Sequence, residues 1–217
     1  QSVHSSVERI LVDVSASMRV DRSALDRLQS LPELSNQIEV VYGDWSTTQQ
    51  CMNGLARKLA EQGVSHALIM DPQDVYDERD LRRILSFVEK HPNAGHFQVR
   101  TNAYWRSPFY RIEPLDPVAR TVISRIDLTA GEVPIVLIPE DVGTCHSFTY
   151  ASATGHVIER LRDQGIAPQA LEHWKKQVWD VWKLKRQLRN LHPELPERFR
   201  AARRIHPCDL PKALAHH

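Results

Sequence analysis

The feature that most constrains the fold is the alternation of short apolar runs with amphipathic segments in the first ninety residues. Runs rich in Val, Ile and Leu, which are typical of buried strands, occupy residues 8–15, 37–43 and 65–70. Each is followed by a segment with the apolar spacing of a helix, at 22–31, 46–63 and 77–91. Three strand–helix units in succession predict βαβ units, and therefore an α/β fold with a mostly parallel sheet.

The rest of the chain has a different pattern of predicted elements. Short β-like runs broken by Pro and Gly follow residue 92, which predicts a mixed-sheet extension. A helical C-terminal segment is predicted from about residue 152, with an irregular tail over 192–217. Its longest helix is predicted over 168–191, where apolar side chains recur at three and four residues: Leu171, Trp174, Val178, Val181, Leu184, Leu188 and Leu191. Trp174 and Trp182 are expected in the core.

Charge divides the chain into an acidic and a basic part. Residues 1–150 carry 15 Lys and Arg against 20 Asp and Glu, a net charge of −5, and residues 151–217 carry 13 against 7, a net charge of +6. The basic part, which includes the predicted helix over 168–191, suits either an anionic partner or a solvated helix face. We accordingly divide the chain into a core at 1–150 and a basic, Trp-bearing segment at 151–217.

The cysteines and the hydropathy bear on location. Cys51, Cys145 and Cys208 are odd in number and widely spaced, which favours reduced thiols and argues against a zinc site built from them. The sequence has no apolar run of about 18 residues, as a membrane span would need, and its first residues lack a signal-peptide pattern. We therefore expect a cytoplasmic protein with no transmembrane segment.

In the stretch "LIMDPQDVYD", residues 68–77, the end of a predicted apolar strand is followed by three acids. Ligands of parallel sheets bind beyond the carboxyl ends of strands, and carboxylates there can hold a divalent cation that neutralises a diphosphate. Asp71 and Asp74 are candidates for this role. The alternative is local: Asp71 makes a turn ahead of Pro72, and Asp77 caps the following helix. Asp77 suits the cap, whereas both interpretations of Asp71 stay open.

A family resemblance favours the cation. The segment "IEVVYGDWSTTQQCMNGLARKLAEQGVSHALIMDPQDVYD" resembles the nucleotide-sugar-binding half of family 2-like glycosyltransferases with the GT-A fold. "YWRSPFYRIEP" resembles their acceptor-side insertion, "HSFTYASATGHVIERL" their His-bearing segment, and "HWKKQVWDVW" their Trp-bearing helix. The resemblance covers roughly residues 8–193. It implies a Rossmann-like GT-A core at 1–150, a nucleotide-sugar donor such as a UDP-sugar, Mn²⁺ or Mg²⁺ on the diphosphate, and an acceptor that is a saccharide or a polyanion.

The resemblance also implies roles for individual residues. Asp13 would recognise the base or ribose, Asn53 would lie near the diphosphate, and Asp71, Asp74 and His146 would hold the metal. Asp141, with Glu140 as its neighbouring candidate, would be the general base that deprotonates the acceptor hydroxyl. Two departures stand out: Gln73 replaces the second Asp of the family's Asp-x-Asp motif, and the family's opening strand–turn–helix element has no clear counterpart. A nucleic-acid-interacting protein with a degenerate, non-catalytic body is the competing interpretation.

Overall fold

The computed structural model describes residues 10–15, 30, 38–45, 47–126 and 133–214. Strands β1 (Ile10–Ser15) and β2 (Ile38–Gly43) pair in parallel, with Ile10 opposite Ile38. Helix α1 (Thr48–Glu61) follows, and the Thr47 hydroxyl caps it by accepting from the Gln50 amide at 3.2 Å. This first part matches the predicted alternation, although the predicted helix over 22–31 lies outside the described residues apart from Ser30.

The third predicted strand joins a different sheet. β3 (His66–Leu68), β5 (His96–Val99), β8 (Arg120–Arg125) and β9 (Ile135–Leu137) form a four-stranded sheet in the order β3-β8-β5-β9. β3 runs antiparallel to β8, with Leu68 opposite Ile123. β8 brings the buried side chains of Val122 and Ile123 beside β3. An apolar run indicates a buried strand but does not specify its partner or direction, and the described strands do not show one mostly parallel sheet.

The five-stranded sheet confirms the mixed-sheet extension. It contains β4 (Asp74–Val75), β6 (Thr101–Trp105), β7 (Tyr110–Glu113), β10 (Cys145–Tyr150) and β11 (Ala201–Arg204), in the order β11-β7-β6-β10-β4. Only β6 and β10 pair in parallel; the other neighbours are antiparallel. β11 lies within the tail predicted as irregular, and its Ala202 faces Ile112 of β7. The fold is therefore α/β, and among the described residues it has one parallel two-stranded sheet and two sheets of mixed strand direction.

Three further helices pack on these sheets. α2 (Glu78–Glu89) buries Leu81, Ile84 and Val88 in a cluster with Phe97 and Ile123. α3 (Thr154–Asp163) follows β10, and α4 (Pro168–Trp174) follows α3. Within the part of the chain that the structure describes, no helix has the length and apolarity needed to cross a bilayer.

The helix predicted over 168–191 is not continuous. α4 leads into one π-helical turn, Lys175–Trp179, and then a 3₁₀ turn, Val181–Lys183, after which the helical path ends. A π turn adds one residue to the usual repeat, so Trp179, five residues after Trp174, is buried with it. Leu184, which the continuous pattern assigned to the apolar stripe, is 87% exposed.

A tryptophan cluster fills the core between the five-stranded sheet and the C-terminal segment. The ring of Trp105 lies 6.1, 5.0 and 6.4 Å from the rings of Trp174, Trp179 and Trp182. All four side chains are almost fully buried. The core positions predicted for Trp174 and Trp182 are confirmed.

Candidate functional site

The strand-end acids form a closed turn between β3 and β4. The Asp74 amide donates to the Asp71 carbonyl at 2.9 Å, and the Asp71 amide donates to Asp74 Oδ2 at 3.0 Å. Asp74 is buried, whereas the Asp71 side chain is 39% exposed. Turn chemistry thus accounts for part of this segment, but the side chain that closes the turn is that of Asp74. The carboxylate of Asp71 remains partly open to solvent.

Two arginines from distant elements converge on these carboxylates. Arg160, on α3, donates to Asp71 Oδ2 at 2.6 Å. Arg120, on β8, donates to Asp74 Oδ2 and places its Nη1 3.6 Å from Asp71 Oδ2. Two carboxylates at close range repel each other unless positive charge offsets them, and the guanidinium groups supply that charge. We call Asp71, Asp74, Arg120 and Arg160 the strand-end cluster.

Cys145 borders this cluster as a neutral thiol. Its sulfur lies 3.3 Å from Arg120 Nη2. Burial raises the pKa of the Cys145 thiol to about 12, with the charge of Asp74 acting in the same direction. A thiolate nucleophile is therefore not available at neutral pH. None of the three cysteines, all of which lie among the described residues, forms a disulfide.

Acceptor oxygens without partners lie in the same turn. Asp74 Oδ1 and Gln73 Oε1 are buried and have no hydrogen-bond partner among the described residues. Buried acceptors left unpaired destabilise a fold by about 1–3 kcal/mol each. Carboxylate and amide oxygens are the ligands that Mg²⁺ and Mn²⁺ prefer, so this donor set fits a hard cation. Within the described ranges, however, no three His, Cys, Asp or Glu side chains are grouped to hold a metal ion.

His146 does not join these ligands. In the pairing of β10 with β4, His146 is opposite Val75 and Ser147 is opposite Asp74. Successive side chains of a strand point to opposite faces, which places His146 and Asp74 on different faces of the sheet. His146 Nδ1 lies 2.9 Å from the Tyr104 hydroxyl. Burial lowers the pKa of His146, against the opposing charges of Asp77 and Asp80. The structure therefore does not bring together the predicted metal set of Asp71, Asp74 and His146.

The residues predicted to hold the nucleotide lie in the first part of the chain. Asp13 is in β1, opposite Val41 of β2. Asn53 is exposed on α1 and accepts from Gln49 Nε2 at 2.9 Å, a contact within its own helix. α1 is held against β2 by the ion pair between Lys58 and Glu39 at 2.6 Å. Among the described residues, Asn53 has no hydrogen bond to the strand-end cluster.

The predicted bases lie in the loop between β9 and β10. Glu140 pairs with Arg100 at 3.0 Å. Asp141 is exposed, its backbone carbonyl accepts from Arg83 at 3.2 Å, and its carboxylate has no ion pair or hydrogen bond among the described residues. Cys145, which touches Arg120, follows four residues later, at most about 14 Å along the chain. Because Glu140 is paired with Arg100 and Asp141 has no such partner among the described residues, Asp141 has the freer carboxylate of the two.

Asp77 stands at the N-cap of α2, as predicted, but its side chain makes no hydrogen bond to that helix. Asp77 Oδ1 instead accepts from the backbone amide of Lys212 at 2.7 Å.

The acids after β3 signal a need for positive charge, yet nothing in the spacing of Arg120 and Arg160 identifies them as its source. Sequence reasoning missed both arginines for that reason.

No family model, curated protein or solved structure matches this chain. The site is a partly exposed turn in which two carboxylates share two guanidinium groups, and two buried oxygens have no partner among the described residues.

Proposed function

We propose that the protein is a glycosyltransferase that moves a sugar from a nucleotide-sugar donor, such as a UDP-sugar, to an acceptor hydroxyl. The observation that carries the proposal is the strand-end cluster, which combines hard oxygen atoms with two arginines directly after a strand. Arginine guanidinium groups bind phosphate oxygens through paired, charge-assisted hydrogen bonds. A diphosphate could therefore take the place that Asp71 now holds on Arg160 and Arg120.

Asp71, Asp74 and the Gln73 amide oxygen are the residues proposed to hold a divalent cation, Mn²⁺ or Mg²⁺. That cation would supply positive charge against the diphosphate leaving group. Asp71 is the exchangeable member because it is partly exposed and is bound only by side chains. Asp74, whose carboxylate closes the turn and is buried, would fix the geometry. Asp13 and Asn53 stay candidates for the base, ribose and diphosphate.

Asp141 is proposed as the general base that takes the proton from the acceptor hydroxyl. Its exposed, unpaired carboxylate can meet an incoming hydroxyl, whereas Glu140 would first have to leave Arg100. A GT-A arrangement, a saccharide acceptor and a cytoplasmic location complete the proposal.

The test is ligand binding followed by turnover. We expect one nucleotide sugar of a panel to raise the melting temperature in the presence of Mn²⁺, because a ligand at a hundredfold its Kd stabilises a fold by about 2.7 kcal/mol. Asp71→Asn should abolish turnover and leave the fold intact, whereas Asp163→Asn, an exposed acid at the end of α3, should change neither. Wild-type turnover in the Asp71 variant would overturn the assigned role, and the absence of any stabilising donor would overturn the proposed function.

A nucleic-acid-interacting protein is the second candidate, favoured by the exposed cations that begin at the last residue of the 3₁₀ turn. Lys183, Lys185, Arg186 and Arg189 are exposed, and none has an acidic partner within the described ranges. Binding to single- or double-stranded nucleic acid that weakens steeply with salt, without any donor binding, would favour this candidate.

A further inference from the structure

A cavity of about 440 Å³ is lined by none of the residues of the strand-end cluster. It opens where the turn between β6 and β7, the loop between β10 and α3, and the helical turns after α4 meet. The residues that line it are Arg106, Ser107, Tyr110, Ser152, Ala153, Thr154, Trp179, Trp182, Lys183 and Arg186. The wall therefore contains three cations, several hydroxyls and aromatic rings, and no acid.

The cations of this wall are held in place by aromatic rings. Arg106 stacks over the ring of Trp179 at 4.2 Å, and Arg186 lies 5.3 Å from the ring of Tyr110 and donates to its hydroxyl. Neither arginine, nor Lys183, has a carboxylate within ion-pair distance among the described residues. Asp180 is the acid that acts on Arg106 electrostatically, and it is itself paired with Lys175 at 2.6 Å. Among the described residues, no carboxylate therefore pairs directly with the cations of this wall.

Two donors of the wall have no hydrogen-bond partner. Arg106 Nη1 and Trp182 Nε1 are both buried and unpaired among the described residues. Buried donors are normally satisfied because an unmade hydrogen bond destabilises the fold. Burial also lowers the pKa of the Arg106 guanidinium, and the charge of Asp180 opposes this effect. A bound anion would offset the charge of this wall.

The backbone at Arg106 is unusual as well. Its φ of 61° lies in the left-handed region, which side chains other than glycine rarely adopt. Its amide donates to the Tyr150 carbonyl at 2.7 Å, which holds the residue in that conformation. Strained conformations of this kind persist where the surrounding structure enforces them, often at binding sites. Arg106 directly follows β6 and lines the cavity in this conformation.

We infer that this cavity binds a compact oxyanion of the phosphate class, such as a phosphomonoester. Arg106, Lys183 and Arg186 would supply the positive charge and the N–H donors. A phosphate has enough oxygens to accept from several such donors, and its charge of nearly −2 suits three cations better than a lone carboxylate does. The inference does not depend on the proposed transferase activity. Thr154 and Arg160 lie six residues apart on α3, about 9 Å along its axis, so the cavity and the strand-end cluster lie along the same helix.

The phosphate could belong to a soluble molecule or to a lipid headgroup. Leu184, adjacent to Lys183 of the wall, is 87% exposed. An exposed apolar side chain among cations is a feature of surfaces that contact anionic lipid. The two sources share one chemistry at the cavity, and they differ in whether Leu184 contributes.

The test is a calorimetric titration of the full chain with inorganic phosphate. We expect saturable binding, weakened at least tenfold in the double variant Lys183→Gln/Arg186→Gln, which corresponds to about 1.4 kcal/mol. The matched control is Lys185→Gln/Arg189→Gln, which removes the same charge from the same exposed segment outside the cavity wall. The control should bind within about twofold of the wild type, since it removes only solvent-screened charge outside the wall. Far-UV circular dichroism checks that both variants fold.

Equal weakening in the two double variants would mean diffuse surface attraction and would overturn the site. So would the absence of saturable phosphate binding to the wild type up to about millimolar concentration. Sedimentation with phosphatidylcholine vesicles, with and without phosphatidic acid, then identifies the source. Binding that requires phosphatidic acid and is lost in both Lys183→Gln/Arg186→Gln and Leu184→Ala supports a lipid headgroup. Phosphate binding without vesicle binding supports a soluble phosphomonoester.

Discussion

The buried imidazole of His192 makes the stability of this fold depend on pH. His192 Nδ1 accepts hydrogen bonds from the backbone amides of Glu194 and Leu195, both at 3.1 Å. Its ring packs against Tyr150 and Phe199, with centroid distances of 5.9 and 4.9 Å. A proton on Nδ1 would remove the acceptor that both amides need. The folded protein therefore favours the neutral ring.

The size of the effect follows from the pKa. Burial, together with the charge of Arg198, lowers the pKa of His192 from 6.5 to about 4. Between these values the unfolded chain binds the proton and the folded chain does not, so stability rises with pH in this window and is lost as pH falls through it. Each pKa unit is worth about 1.4 kcal/mol. The loss attributable to His192 amounts to about 2 kcal/mol by about pH 5 and roughly 3 kcal/mol when the folded form also protonates.

The assay is urea denaturation at about pH 7 and about pH 5, followed by tryptophan fluorescence, for the wild type and His192→Asn. Asn offers an oxygen near the position of Nδ1 but does not titrate in this range. We expect the variant to be less stable at neutral pH, because it loses the ring contacts, but to lose about 2 kcal/mol less than the wild type on acidification.

His156→Asn is the matched control, since His156 is exposed on α3. It should lose as much stability on acidification as the wild type does. If His192→Asn also loses as much as the wild type, His192 does not titrate as argued, and the pH dependence must come from other groups.

Two further predictions concern the C-terminal turns and the metal. Trp179→Ala should destabilise the fold by about 3–5 kcal/mol and Leu184→Ala by less than about 0.5 kcal/mol, measured by urea denaturation. If Leu184→Ala were the more destabilising of the two, a continuous helix would describe this segment better than the π turn does. Gln73→Asp should tighten Mn²⁺ binding in a calorimetric titration, because it adds a charged oxygen ligand; unchanged or weaker binding would mean that residue 73 does not face an ion.

Local patterns predicted most of the individual elements. β1, β2, α1 and α2 lie where the apolar spacing placed them, and the β-like runs after residue 92 each contain a strand. The pairing of β3 with β8 was not predictable, because the apolar pattern of a strand carries no record of which distant strand lies beside it. The π turn was missed because the stripe from Leu171 to Leu191 fits an ordinary helical repeat and only packing around Trp105 selects the alternative.

The acids of the candidate site were predictable from the sequence, and the arginines that pair with them were not. Asp71 and Asp74 were found from their place after a strand. Arg120 and Arg160 are 49 and 89 residues from Asp71 in sequence, and only the folded chain brings them together. His146 was misplaced because a difference of one residue along β10 reverses the face on which a side chain lies.

β11 protects one edge of the five-stranded sheet. It covers the free edge of β7, and its own outer residues, Arg203 and Arg204, are exposed. An uncovered edge strand offers unpaired backbone groups to other chains and invites aggregation, whereas a charged edge discourages it. A chain shortened before Ala201 would leave Tyr110 to Glu113 without their outer neighbour, and the first consequence would be self-association of the sheet.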